Sequence, residues 1–325
     1  MKKFCIALVY GGDSSEAEVS VKSGKHVLSH IDKDLFDVHE VHISGSEWRV
    51  VAESDVICDI DKADFSFMMD GQKVKFDTAL IMIHGTPGEN GLLQAYFEMI
   101  GMRYTTCPST VSAITFDKYA CKCFLRDTGI ALAKEILLHR RETPDEERII
   151  SKLGLPLFVK PNVGGSSFGV TKVKSREELR GALDAAFAEA DSILAEEYIK
   201  GREMTNGVFE SDGVLVKLPV TEIIPDNEFF DYEAKYLGAS REICPALIPD
   251  NLSEKIQKTT HEIYRYLGCR GVVRVDYIVR GEDIFFLEIN TVPGMTEMSL
   301  VPQQVRSAGM SIKDFITKLI YSSLK

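Results

Sequence analysis

At 325 residues the chain is long enough for two or three domains and a sizeable core. Its 45% apolar and 27% charged residues are ordinary for a soluble globular protein, and a net charge of −11 argues against nucleic acid or an anionic membrane as the main partner. A local basic site for a small phosphorylated ligand remains compatible with that balance.

Residues 4–10 (FCIALVY) read as a buried strand. Met1, Lys2 and Lys3 lend the start a likeness to a secretion signal, but the apolar run stops at Gly11 and Gly12 and then meets Asp13 and Glu16. No run approaches transmembrane length. Of seven scattered cysteines only Cys121 and Cys123 are close, and no second Cys/His pair sits at zinc spacing, which fits the reduced thiols of a cytosolic protein. GGDSSEAEVS then reads as a turn into a helix capped at Ser14 or Ser15, with Glu16 and Glu18 near its positive end. Locally, Glu16 reads as a helix-stabilising acid. The glycine fingerprint of dinucleotide-binding loops is missing, which counts against a nicotinamide-dependent oxidoreductase.

Strands are expected at 36–43 and 48–51, then irregular chain to 76, then a long strand over 77–84. That strand ends in HGTPGENG, a second glycine-rich loop at a strand's C-terminal edge, where His84 is either a structural histidine or a ligand contact. A helix over 92–100 completes a small doubly wound domain to about residue 106. From Pro108 the chain reads as helix to about Asp127, passing Lys118.

Strands at 135–138 and 157–160 are separated by a helix capped at Thr143-Pro144. KPNVGGSSFGV follows: a lysine, Lys160, ends a strand, and a Gly/Ser loop returns to another. Such a loop offers backbone N–H groups to phosphates, although a plain hairpin turn has the same composition. After a helix over 174–190, strands at 193–199, 204–209 and 214–220 form an antiparallel sheet. Glu196 and Glu203 flank its first turn as solvated edge charges or as contacts to a ribose and an amine. NEFFDYEAKYLGASR, residues 227–241, has no clean period and reads as a functional loop.

A helix over 252–267 leads to a hairpin of strands 271–280 and 284–290 around Gly281, Glu282 and Asp283. Side chains alternate faces, so a three-residue turn pairs Asp276 with Glu288 and Arg274 with Asn290 on one side. A two-residue turn sets Asp276 against Leu287 and scatters a polar set that otherwise forms a site, so the three-residue turn is the expected register. In the first register two carboxylates, an amide oxygen and a guanidinium converge, a hard-oxygen set suited to Mg²⁺ with substrate phosphates. The spacing alone fits a solvated amphipathic hairpin equally well; NTVPG directly after it adds a turn with N–H groups beside the metal ligands. A helix over 312–324 closes the chain.

Several motifs in one order carry a resemblance: GG-x-S-x-E-x-EVS, HG-x-x-GE-x-G, KP-x-x-x-GSS-x-GV, EAKY, R-x-D and E-x-N-T-x-PG-x-T-x-x-SL. From Tyr10 to about Met310 the chain resembles the D-alanine–D-alanine ligases of the ATP-grasp family. The resemblance implies an α/β (α+β) ATP-grasp fold in three domains: an N-terminal substrate-binding domain at 1–106, a central domain at 107–210, and a C-terminal domain at 211–325 with the metal site and a mobile loop at 227–241. It implies ATP and two Mg²⁺ (or Mn²⁺) held by Asp276, Glu288 and Asn290. Lys118, Lys160 and Lys235 would meet the phosphates; Glu196, the Ile199 backbone and Glu203 would hold adenine and ribose. Arg274 and the Gly294 N–H would form an oxyanion site. Glu16 would bind the first D-alanine's ammonium, and with Ser166 and Tyr236 would close the loop. His84 would sit near the first substrate, and Ser299 and Leu300 near the second. A cytoplasmic homodimer making D-alanyl-D-alanine for peptidoglycan is the expected protein. Joining D-alanine to D-lactate or D-serine is the alternative, and a non-catalytic nucleotide binder the remote one, disfavoured by the oxyanion arginine. Phe168 and Asn90 depart from the family's usual residues at their positions.

Overall fold

The computed structural model describes residues 3–53, 55–165, 169–225 and 240–325. Ser166, Lys235, Tyr236 and most of the 227–241 segment lie outside the described residues.

The first sheet contains β1 (Phe4–Gly11), β2 (Phe36–Ser44), β3 (Glu47–Ala52), β4 (Asp55–Asp59) and, after a small hairpin of β5 (Ser66–Met69) and β6 (Gln72–Lys75), β7 (Thr78–Ile81), in the order β4-β3-β2-β1-β7. β1 runs parallel to both β2 and β7. Alternation along β1 sends Ile6, Leu8 and Tyr10 into a core shared with the C-terminal helix Ile312–Leu324, while Ala7 and Val9 face Leu93 and Phe97 of the helix Leu92–Ile100. Both faces are covered, as a doubly wound domain requires. The stretch to residue 76 is more regular than its sequence suggests. The last strand is shorter: beyond Ile81 only the Met82 N–H keeps the ladder, to the Val9 carbonyl at 2.8 Å.

β8 (Ala131–Leu132) precedes a four-stranded antiparallel sheet of β9 (Glu135–His139), β10 (Leu157–Pro161), β11 (Thr171–Val173) and β12 (Ser192–Glu197), ordered β11-β10-β12-β9. The helices Glu146–Leu153 and Arg176–Glu189 cover one face, against Leu157, Val159, Ile193 and Ala195. The alternate residues Phe158, Lys160 and Glu196 are thereby turned to the other face. The first of these helices is capped by Asp145, whose carboxylate accepts the Arg148 N–H at 3.0 Å, rather than at Thr143-Pro144. The expected helix after Pro108 is two helices, Ser109–Phe116 and Lys118–Leu125, broken at Asp117, which caps the second.

The third sheet is formed by β13 (Arg202–Ser211), β14 (Val214–Pro225), β15 (Ser240–Ile243), β16 (Val272–Arg280) and β17 (Asp283–Asn290), in the order β15-β14-β13-β16-β17-β8. All of β13 but Ser211 falls by sequence in the 107–210 segment, yet the strand hydrogen-bonds on both sides within this sheet, to β14 and β16. The helix Asp250–Leu267 buries Ile256, Ile263 and Tyr264 against Val273, Val275, Tyr277 and Val279 of β16. Arg274 and Asp276 therefore face away from that core.

The hairpin reaches the expected pairing by a different route. Arg280 pairs with Asp283, leaving a two-residue turn at Gly281 and Glu282, and Tyr277 still pairs with Phe286. A β-bulge then leaves Leu287 as the extra residue, so that Asp276 pairs with Glu288 and Arg274 with Asn290. Without the bulge, Glu288 and Asn290 would follow Ile284 and Phe286 onto the core face. The bulge therefore turns two polar side chains toward the site.

Candidate active site

All three sheets deliver their polar ends to two joined cavities. One, of about 590 Å³, is lined by Lys118, Phe158, Lys160, Glu196, Ile199, Glu203, Asp276, Ile278 and Glu288. The other, of about 730 Å³, is lined by Glu16, His84, Glu89, Arg274, Asn290, Gly294, Ser299 and Leu300. Glu16, Lys118 and Glu288 line both, so the cavities meet at these residues. Every expected site residue among the described residues therefore lies on one wall or the other.

The first cavity has an apolar slot at one end and cations at the other. Lys160 is buried at the end of β10 and paired with Glu196, its diagonal neighbour across the ladder. Burial, then the nearby Lys122 and Lys118 ammonium groups, push Lys160 well down from its ordinary value. Lys118 opens the helix Lys118–Leu125 and donates to the Gly164 carbonyl at 2.7 Å. Asn162 fixes this junction: its carbonyl accepts the Lys118 N–H and its side-chain oxygen accepts the Tyr119 N–H at 2.9 Å.

At the centre Asp276 is 5% exposed and heavily engaged. Arg274 forks it at 2.8 and 2.9 Å, the Thr205 hydroxyl donates at 2.5 Å, and the Asn290 amide donates at 3.2 Å. With Glu288 opposite on the ladder, the donor set is two carboxylates and an amide oxygen. That all-oxygen chemistry fits Mg²⁺ held together with phosphates, and Asp276 and Glu288 both face the first cavity.

In the second cavity Glu16 lies at the start of the helix Ala17–His30 and is 9% exposed. Gly165 permits its approach: a Cβ there would stand 2.6 Å from the Glu16 carboxylate. His84 is held by the Val292 carbonyl on Nδ1 at 2.6 Å and by the Ser23 hydroxyl on Nε2 at 3.0 Å. Burial pushes its pKa down against the pull of Glu16. Gly294 lies close to Ser299, whose hydroxyl would be 2.9 Å from a Cβ at that position. Ser299 in turn accepts the Thr296 N–H at 3.0 Å and precedes the helix Leu300–Ser307.

Sequence reasoning assigned no role to several residues here. Lys122 is fully buried, pairs with Glu196 and lies 3.0 Å from Glu135. Its position four residues after Lys118 on one helix face was the available signal. Thr205 had none, because only cross-strand pairing with Asp276 brings it there. Glu89 stands inside the quoted HGTPGENG loop. Its carboxylate accepts the Gly85 N–H at 2.8 Å and the Val292 N–H at 3.1 Å, tying the first domain to the loop after β17.

Burial and then the Glu16 carboxylate push Glu89 from 4.5 up to about 8. The folded state thus binds the extra proton, and this group's contribution to stability is complete below the ordinary value and lost as pH rises through the raised one. Glu89→Gln is uncharged at every pH, at a pH-independent cost of one of the two N–H acceptors. Its stability relative to wild type is expected to improve steadily from about pH 5 to about pH 8. Urea denaturation across that range checks it, and a constant difference would remove Glu89 from the pH response.

Comparison with known proteins agrees across the whole chain. Residues 5–107 match the family model for the D-ala D-ala ligase N-terminus and residues 124–321 that for the D-ala D-ala ligase C-terminus. The chain is 48% identical to the D-alanine--D-alanine ligase of Phocaeicola vulgatus, over 98% of each. The VanG D-Ala:D-Ser ligase of Enterococcus faecalis superposes with a TM-score of 0.88 at 32% identity, covering 99% of this chain and 100% of that one. The ATP complex of the Bacillus anthracis D-alanine--D-alanine ligase gives 0.79 at 30% identity, covering 99% and 97%.

Proposed function

The chain belongs to the D-alanine–D-alanine ligase family, and from that premise we propose how its residues divide the work of the reaction. The protein is an ATP-dependent enzyme that joins two D-alanines to D-alanyl-D-alanine for peptidoglycan synthesis. The observation that carries the division of labour is the meeting of two cavities at Lys118, Glu16 and Glu288. A nucleotide in the first would present its terminal phosphate where amino acids in the second present a carboxylate.

A carboxylate is a poor electrophile. Transfer of the terminal phosphoryl group of ATP to one carboxylate oxygen gives an acyl phosphate and ADP. The amine of the second D-alanine then attacks the acyl carbon, losing a proton, and phosphate leaves. Little covalent chemistry falls to the protein, so its residues position and neutralise. The Phe158 and Ile278 walls take the base, Glu196 and the Ile199 backbone its polar edge, and Glu203 the ribose. Lys160 and Lys118, with Lys235, face the phosphates; a polyanion there offsets the repulsion that lowers Lys160.

Asp276, Glu288 and Asn290 would hold Mg²⁺, which supplies charge neutralisation for the phosphates. Arg274, forked on Asp276 in the structure, would serve the tetrahedral oxyanion together with the Gly294 N–H. Glu16, seated between Gly85 and Gly165, takes the first ammonium, and His84 borders that substrate. Ser299 and Leu300 border the second. Ser166 and Tyr236 would join Glu16 in closing the 227–241 segment over the acyl phosphate and excluding water. A cytoplasmic homodimer fits a ligase of a soluble precursor. Among the described residues no helix is long and apolar enough to cross a membrane, and light scattering tests the dimer.

The structural match to a D-Ala:D-Ser ligase keeps acceptor choice as a second reading. Phosphate release from ATP and Mg²⁺, with products identified for D-alanine alone and then with D-serine or D-lactate added, separates them. D-Alanyl-D-alanine as the product is expected. Release that requires D-serine or D-lactate would overturn the assignment. In the family, tyrosine at the position of Tyr236 goes with the dipeptide rather than the ester. Tyr236→Phe is accordingly expected to raise the D-lactate product fraction, and an unaltered product ratio would remove Tyr236 from acceptor choice.

A further inference from the structure

The catalytic metal ligands are all oxygen donors, but a different donor set stands at the opposite end of the first sheet. Among the described residues, one group of His, Cys, Asp or Glu side chains brings at least three potential metal-binding atoms close together: Cys5, Asp37 and His39, all within 4.8 Å of one another. The parallel register explains the gathering. Cys5 of β1 is the partner of Asp37 on β2, and His39 follows Asp37 on the same face, opposite the small Ala7. The site lies six residues before Gly11, so roughly 20 Å of strand separates it from the catalytic loop.

We infer that Cys5, Asp37 and His39 form a binding site for a divalent transition-metal ion of the zinc class, separate from the Mg²⁺ centre. The sulfur and imidazole donors set the preference, since thiolate and imidazole select Zn²⁺-like ions whereas Mg²⁺ and Ca²⁺ take oxygen. The histidine is already oriented. Its ring packs edge-on against Phe67, with centroids 4.9 Å apart, and near Phe76 at 6.1 Å. His39 Nε2 is buried without a hydrogen-bond partner. The Asp37 carboxylate stands 3.5 Å from it, a charge contact that lacks hydrogen-bond geometry. A cation between them would satisfy a nitrogen that the fold leaves unmet. Asp37 is 61% exposed, which gives the ion an entry path and leaves a coordination position for water. Binding forms a metal–sulfur bond, and the Cys5 thiol proton passes to solvent, so affinity should rise with pH.

The test is a titration of the chelator-treated full chain, kept reduced with a phosphine, with Co²⁺ and then Zn²⁺. Co²⁺ is expected to give a thiolate-to-metal charge-transfer band in the near ultraviolet and intense visible bands of a tetrahedral site, displaced by one equivalent of Zn²⁺. The bands should persist in Asp276→Asn and vanish in Cys5→Ser. Asp37→Asn, at an exposed position where folding is not at stake, should weaken Zn²⁺ binding by about 10-fold or more. Mg²⁺-dependent phosphate release should be unchanged in Cys5→Ser and Asp37→Asn, because neither residue touches the reacting groups. No charge-transfer band in wild type, a band surviving Cys5→Ser, or equal Zn²⁺ affinity in Asp37→Asn would each overturn the assignment.

Discussion

Replacing Arg274 by alanine is expected to lower kcat roughly 10²-fold or more, the usual cost of losing one donor to a developing oxyanion. The guanidinium is 13% exposed and forked on Asp276, so two explanations of such a loss must be separated. If Arg274 serves only to neutralise Asp276, the variant leaves a buried carboxylate whose uncompensated charge disturbs the site until Mg²⁺ neutralises it. Turnover should then recover as Mg²⁺ is raised. If Arg274 acts on the tetrahedral species, the loss persists at saturating Mg²⁺ and saturating ATP, with KM for both D-alanines little changed. The second outcome is expected, because the carboxylate needs the arginine least when a divalent ion is beside it. Near-normal turnover would take Arg274 out of the mechanism.

What the sequence made legible follows from period and order. Alternation along β16 puts Arg274 and Asp276 on one face, and the expected pairing of the hairpin's four polar residues is the observed one, although the turn is a residue shorter than expected. The reason for the pairing was not legible. A bulge at Leu287 is signalled by no glycine or proline, and only the need to bury Ile284 and Phe286 while exposing Glu288 makes it visible. Local signals likewise placed the helix Leu92–Ile100 and the helix Ile312–Leu324 at their observed limits.

Partners distant along the chain were out of reach. Lys122 looks like one more helix-surface lysine until the helix Lys118–Leu125 docks and sets it against Glu135 and Glu196. Thr205 matters only because β13 lies beside β16. The helix Leu300–Ser307 was hidden behind a motif read for its turn, although its Gln304 side chain accepts the Gly207 N–H at 3.0 Å and so braces β13 from behind. In each case the decisive neighbour is supplied by tertiary structure, which local propensity does not encode.

Asp276→Asn is expected to lower turnover by a comparable factor and to shift its Mg²⁺ dependence to higher concentration. A metal-held phosphoryl oxygen is worth several kcal/mol of transition-state charge stabilisation, and each ~1.36 kcal/mol lost is tenfold in rate. Asparagine keeps the size of the side chain and one oxygen, so the Thr205 hydroxyl retains an acceptor. What disappears is the charge. Arg274 then loses its anionic partner, and its positive charge remains next to the place a divalent cation must occupy. Metal affinity therefore falls for two reasons, one fewer negative ligand and one uncompensated guanidinium. Combining Asp276→Asn with Arg274→Ala distinguishes them. If repulsion by the arginine matters, the double variant binds Mg²⁺ more tightly than Asp276→Asn alone while turning over no faster. If only the lost ligand matters, the two bind Mg²⁺ alike. An Asp276→Asn enzyme with wild-type Mg²⁺ dependence would show that Glu288 and Asn290 hold the ion without it.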